Sequence, residues 1–159
     1  MYSQCVIVWN LTFVWLLLLQ GFTPLLYASI IGAAEIVSAL LKEVSAGSSN
    51  STATPLLHLI LSTPQGCAVV NQRHGPTGVT ALMCACVRGE DVTTKVLLKH
   101  RADVTLCDKH GLSPLHCAAW GGSLKCVKQL VTHGNRALLT LRDQWGRSAL
   151  LAAAAKVFW

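Results

Sequence analysis

The sequence predicts an all-α solenoid, a row of antiparallel helix pairs joined by short hairpin loops. Three observations carry this. First, one phrase recurs: Thr23-Pro24-Leu25-Leu26-Tyr27-Ala28, Thr80-Ala81-Leu82-Met83-Cys84-Ala85, Ser113-Pro114-Leu115-His116-Cys117-Ala118 and Ser148-Ala149-Leu150-Leu151-Ala152-Ala153. The step from Thr80 to Ser113 nearly equals the step from Ser113 to Ser148, and self-similarity at such a period marks stacked repeats. Second, each phrase opens on a hydroxyl residue followed by Pro or Ala, which is a helix start, and the first three run into Gly32, Gly89 and Gly122, which are helix stops. Third, Leu115, Ala118 and Ala119 fall at i, i+3 and i+4 on one helical face, and the small alanines admit a close neighbour. Each pair is too small to bury its own core, so stacking must supply it.

The elements follow in order. Residues 1–20 form an uncharged hydrophobic segment, with an apolar run from Val6 to Leu19 interrupted by Asn10 and Thr12. A membrane helix needs about 20 apolar residues. A secretory signal needs positive charge ahead of its apolar core and a small-residue cleavage site, and neither is present. Three readings stay open for this segment: a hydrophobic cap on the first repeat, a membrane anchor, or sequence replacing the usual start of a longer protein. Its length favours the cap or the replacement. Asn10-Leu11-Thr12 and Asn50-Ser51-Thr52 match the glycosylation tripeptide, which matters only in a secreted context.

Residues 21–47 are a first copy with helices expected at 24–31 and 35–43, the second carrying Ile36, Val37, Leu40 and Leu41. The period then fails, because the step from Thr23 to Thr80 is longer than one repeat and shorter than two. Residues 48–77 read as a degenerate repeat with an insertion. Ser48-Ser49-Asn50-Ser51-Thr52 is a polar loop and Thr54-Pro55-Leu56-Leu57-His58 restarts the phrase, but Pro64, Gly66, Gly75 and Pro76 oppose a regular second helix. A plain long loop is the alternative. Residues 78–107 are a clear copy with helices expected at 81–88 and 92–99, followed by a turn at Ala102-Asp103-Val104. Residues 108–142 are the best copy, with helices expected at 114–120 and 124–132 and a second-helix stripe of Leu124, Val127, Leu130 and Val131. Residues 143–159 are a half-copy with a first helix and no second.

The phrase Gly111-Leu112-Ser113-Pro114-Leu115-His116-Cys117-Ala118-Ala119, with Gly122 and Gly134 at its later fixed places, resembles the ankyrin motif. The resemblance implies an ankyrin-repeat solenoid acting as a non-catalytic protein–protein interaction module through its concave face. Carried over by register, that face takes Thr77, Val79, Val87 and Arg88 from one copy. The next copy adds Lys109, His110, Leu112 and Trp120, and the half-copy adds Gln144, Trp145 and Arg147. Tryptophan and arginine are the residue types enriched at binding hot spots. The competing role for Trp120 and Trp145 is packing against neighbouring repeats. His116 stands where the motif has a histidine, which implies a structural hydrogen-bonding role.

Charge sharpens the expected partner. The chain carries 13 Lys and Arg against 7 Asp and Glu, a net +6, yet Glu35 alone is charged between Met1 and Leu41. The repeat half is therefore basic, which suits a protein partner with an acidic segment. No run of consecutive Lys or Arg marks a nucleic-acid tract, so nucleic acid is the weaker partner. The acidic residues are scattered and no G-x-S-x-G, P-loop or H-E-x-x-H is present, so the sequence points away from an enzyme. The seven Cys have no disulfide framework spacing, and several sit on apolar helical positions, which suits reduced thiols in a cytoplasmic or nuclear protein. Membrane association through residues 6–19 is the alternative location. Cys107, His110, His116 and Cys117 lack the paired knuckles of a zinc site, so no metal or other cofactor is expected. Two further readings of the chain stand beside the binding module: a membrane-tethered ankyrin protein, or a truncated fragment of a larger scaffold.

Overall fold

The computed structural model describes residues 23–46, 70–134 and 137–157. The repeated phrases become helix starts for a repeated reason. Thr23, Thr80, Ser113 and Ser148 each turn a side-chain oxygen toward the backbone N–H three residues on, at 3.2–3.4 Å. Each bond satisfies a donor that the first helical turn leaves free. The first helices are α1 (Pro24–Ile31), α3 (Ala81–Arg88), α5 (Pro114–Gly121) and α8 (Ala149–Val157). Gly32, Gly89 and Gly122 end the first three in the left-handed conformation, at φ 74–75°. The second helices are α2 (Ala34–Ala46), α4 (Asp91–Lys99) and α6 (Leu124–His133). A short helix α7 (Ala137–Thr140), which the sequence did not announce, lies between α6 and the last hairpin.

The expected helices are all present, most of them with ends displaced by a residue or so, and α2 runs on to Ala46. Among the described residues strand pairing is confined to isolated bridges, His74 with Val79 and Arg142 with Ser148. The all-α ankyrin-like stack is therefore borne out. First helices form one layer in the order α1, α3, α5, α8, and second helices form the other in the order α2, α4, α6. Between the layers lies one apolar core, with Leu25, Leu40, Leu82, Leu97, Leu115 and Leu130 all buried.

The hairpins are stacked as firmly as the helices. Lys109 N–H donates to the Thr77 carbonyl at 3.0 Å and Gln144 N–H donates to the His110 carbonyl at 2.9 Å, so each loop tip is tied to the next. Asp108 and Asp143 build these tips. Each accepts two backbone N–H bonds on Oδ1, from His110 and Leu112 and from Trp145 and Arg147 respectively.

Across the failed period, α1 packs directly on α3 and α2 directly on α4. Residues 70–77 form the turn that leads into the Thr80 copy, including a short 3-10 turn at Gly75–Thr77. The degenerate repeat expected over 48–77 otherwise lies outside the described residues, as does the hydrophobic segment 1–20. Among the described residues, no helix is long and apolar enough to cross a membrane.

Candidate functional site

Stacking at a shared register brings equivalent side chains into line. Val87 and Trp120 hold the same place at the end of successive first helices, counted from Thr80 and Ser113. Val79, Leu112 and Arg147 hold the same place just before those helices start, and Thr77, His110 and Trp145 the same place at the hairpin tips. Two adjoining hollows result between the hairpins and the first helices. One, about 360 Å³, is lined by Val87, Leu112, Trp120, Trp145 and Arg147, with His116, Cys117 and Ala152 as its other walls. The other, about 280 Å³, adds Val79 and Arg88 and shares Val87, Leu112 and Cys117 with the first.

Seven of the eleven residues carried over by register therefore line one continuous concavity. The other four occupy the hairpin tips at its edge. Thr77 donates its hydroxyl to the His74 carbonyl at 3.2 Å. Lys109 is exposed, and Gln144 Oε1 lies 3.1 Å from His110 Nδ1.

Trp120 is 53% exposed and Trp145 59%, so neither is consumed by packing against a neighbouring repeat. Trp145 is nonetheless held in place. The His110 ring stacks on it at 6.1 Å between centroids and 9° between planes, and the Arg147 guanidinium lies 4.4 Å from its ring centroid. Arg147 is fixed in turn by a 2.7 Å bond from its Nε to Asp143 Oδ2. Desolvation pushes the buried Asp143 carboxyl up, but hydrogen bonds from Arg147 and Trp145 and the Arg147 charge outweigh it, and the carboxyl sits below its usual range. The Trp145 side chain is thus held between His110 and Arg147 without being buried.

The concavity has an apolar floor. Burial pushes the Cys84 thiol up to about 11 and is the first cause raising Cys117 to about 12, ahead of the nearby Asp108 charge. Both remain neutral thiols at neutral pH. His116 is 1% exposed and does the structural work that the motif implies. Its Nδ1 lies 2.8 Å from Ser113 Oγ and accepts from Ser113 N–H at 3.3 Å, so the proton assigned to Nε2 donates to the Arg147 carbonyl at 3.1 Å. One histidine thus caps α5 and ties it to the following hairpin. Among the described residues, no three His, Cys, Asp or Glu side chains are grouped so as to hold a metal ion.

The cation pattern is narrower than the sequence count suggests. Arg147 is engaged by Asp143, whereas Arg88 and Lys109 are exposed and have no carboxylate partner among the described residues. Sequence reasoning missed Ile30, which lines the smaller hollow. Ile30 stands in the register of Val87 and Trp120, counted from Thr23, so the same alignment contained it. Met83, at the place of His116, was missed for the opposite reason: an apolar helix residue reads as core, and Met83 is both core and hollow wall.

Comparison with known proteins agrees with this architecture. Residues 56–140 match the family model of ankyrin repeats in three copies. The Notch-regulated ankyrin repeat-containing protein A of Danio rerio is 37% identical over 79 residues, covering 50% of this chain and 70% of the relative. Its counterpart in Xenopus laevis is 37% identical over the same length and is covered to 69%. The palmitoyltransferase AKR1 of Lachancea kluyveri is 39% identical over 59 residues, but these are only 8% of that protein. The pair α1 and α2 lies outside the family match and still stacks on its neighbours.

Proposed function

This chain belongs to the ankyrin-repeat family, and from that premise we propose that it is a non-catalytic module that grips a protein partner in the concavity between its hairpins and first helices. The supporting observation is the pair of adjoining hollows, where half-exposed Trp120 and Trp145 stand over an apolar floor. Aromatic anchors set in a pocket with a polar rim are the usual source of binding energy at protein interfaces. The partner segment is acidic with one or two apolar residues. Arg88 and Lys109 stand ready for carboxylates, and the hollows take the apolar side chains. Electrostatics of this kind speeds association and sets register more than it deepens affinity.

The test is capture of binding proteins from a cell lysate by the full chain and two variants, each checked for fold by circular dichroism. Truncating an interfacial tryptophan typically costs about 2 kcal/mol or more, roughly thirtyfold in affinity, and Trp120→Ala should abolish capture. Lys125→Ala should leave it intact, because Lys125 lies on α6 in an exposed 3.2 Å pair with Asp91. Capture should also weaken as salt rises. Equal loss from both substitutions with the fold preserved would show that the partner sits elsewhere.

A further inference from the structure

Two core cysteines meet where successive units join. Cys86 stands near the end of α3, a first helix, and Cys126 is the third residue of α6, the second helix of the next unit. Both are fully buried. Their side chains are hydrogen-bonded, Cys86 donating and Cys126 accepting. Thr94 of α4 closes the group, with its Oγ1 3.6 Å from Cys126 Sγ. Ser123, the N-cap of α6, accepts the Cys126 backbone N–H at 3.3 Å and bonds to the Cys126 thiol as well. The two thiols are not equivalent. The bond from Cys86 lowers Cys126 most; burial and the Asp91 carboxylate oppose it, and the bonds from Ser123 and Thr94 reinforce it. The same bond, together with burial, pushes Cys86 up. Cys126 therefore carries the thiolate character and Cys86 keeps the proton. The first turn of a helix, where Cys126 lies, favours negative charge too. Cys84 and Cys117 are different, since burial raises both and leaves them protonated at neutral pH.

We propose that Cys86 and Cys126 form a reversible disulfide when a hydroperoxide reaches them, and that this bond staples α3 to α6. The Cys126 thiolate attacks one peroxide oxygen and the O–O bond breaks. With hydrogen peroxide, hydroxide leaves with the electron pair and takes up a proton, and Cys126 is left as a sulfenic acid. The Cys86 sulfur then attacks Cys126 Sγ, the S–O bond breaks, and the hydroxyl leaves as water with the Cys86 proton. Two thiols are oxidised to one disulfide, and one peroxide is reduced to two waters. Neither sulfur is exposed in the folded chain, so the oxidant enters when the first turn of α6 opens. That turn is the shallow side of the site, with Leu124 and Lys125 exposed beside Cys126. The bond adds a covalent tie between a first-layer helix and the second-layer helix of the next unit. It lies beneath the concavity, because Cys86 immediately precedes Val87, a wall of both hollows. Its chemistry needs no binding partner, so it stands or falls apart from the function proposed above.

The test exposes the reduced full chain, freed of reductant, to hydrogen peroxide at neutral pH without denaturant. Free thiols are then alkylated and the chain is cut with trypsin at Arg73, Arg88, Lys125 and Lys128. Fragmentation mass spectrometry should find residues 74–88 joined to residues 126–128 through Cys86 and Cys126, and dithiothreitol should release them. The oxidised chain should melt roughly 5 °C or more above the reduced one, because the bond closes a long stretch of chain. Cys86→Ala and Cys126→Ala should show neither the link nor the thermal gain. Cys84→Ala, which leaves Cys86 as the one cysteine in its peptide, should show both. The native-chain readings do not depend on the folding of any variant. Absence of the link in the native chain, a link that forms only in denaturant, or comparable amounts joined through Cys84 or Cys117 would overturn the proposal. So would a linked chain that melts no higher than the reduced one, or a disulfide that joins two chains.

Discussion

Leu115 and Leu150 hold the same place in successive copies of the repeat, two positions after the capping serine, yet Leu115 is 4% exposed and Leu150 83%. The pattern continues at the next position, where His116 is buried and Leu151 is 53% exposed. The leucines are alike in kind and the helices start alike; the neighbours differ. Leu115 has α6 from its own pair and helices of units on both sides, whereas no second-layer helix follows α8 among the described residues. In a stack of repeats, burial belongs to the interface between units rather than to the residue, and the same letter of the motif can be core or surface.

That contrast can be broken by one pair of substitutions. Leu115→Ala should cost about 2–5 kcal/mol, as truncating a fully packed leucine does, whereas Leu150→Ala should change stability by no more than about 0.5 kcal/mol. Urea unfolding of the two variants measures both. If Leu150→Ala proved as costly as Leu115→Ala, some part of the protein would have to cover α8, and the contrast between interior and end would fail.

The interior is also distinguished by how closely its helices approach. A methyl group built on Gly121 would lie 2.6 Å from the Val87 carbonyl oxygen and 2.8 Å from that of Cys86. Those are backbone atoms of α3, which cannot swing aside as a side chain can. Gly121→Val should therefore force α5 away from α3 and cost about 1–3 kcal/mol, the usual range for overpacking. Because the hollows span this same seam, partner capture should fall together with the melting temperature. Gly146 at the end hairpin has nothing within 4 Å of such a methyl, but its φ of 72° is itself left-handed, so it is a poor control; Ala154, exposed on α8, is better. A Gly121→Val chain as stable as Ala154→Val would mean that the two helices are not in such close contact.

Much of this was legible in the sequence because repetition is a strong signal. The hydroxyl caps at Thr23, Thr80, Ser113 and Ser148 and the glycine stops are local chemistry repeated in register, so helix positions followed closely. The membership of the concavity followed from register as well. What escaped depended on three-dimensional neighbours. The engagement of Arg147 by Asp143, four residues away, and its place over Trp145 went unread because the charge count treats every arginine as free. The direct stacking of α1 on α3 was hidden by the long step from Thr23 to Thr80, since helix faces recognise complementary faces and not sequence distance. Helix α7, Ala137–Thr140, is a single turn, too short for periodicity to reveal.

The smallest expected effect tests how the end hairpin is held in spite of its bare helix. Asp143 accepts the Trp145 and Arg147 N–H groups on Oδ1 and the Arg147 side chain on Oδ2. Asp143→Asn keeps an oxygen for the backbone donors and loses the charge pairing, so the hairpin should persist and the loss of stability should be modest. Its pH dependence is the informative part. The folded carboxyl is held below its ordinary value of 3.8, so the unfolded chain takes up this proton first as pH falls. The stabilisation is therefore fully present above that ordinary value and is lost as pH drops through the lower folded value. Melting temperatures of the native and Asp143→Asn chains should differ at pH 7 and converge below about pH 4. The exposed pair of Lys125 and Asp91 supplies the comparison, because Asp91→Asn should shift the melting temperature little at either pH. A difference between native and Asp143→Asn chains that is unchanged at low pH would mean that the carboxylate contributes shape alone, and that Arg147 is positioned by its backbone and by Trp145.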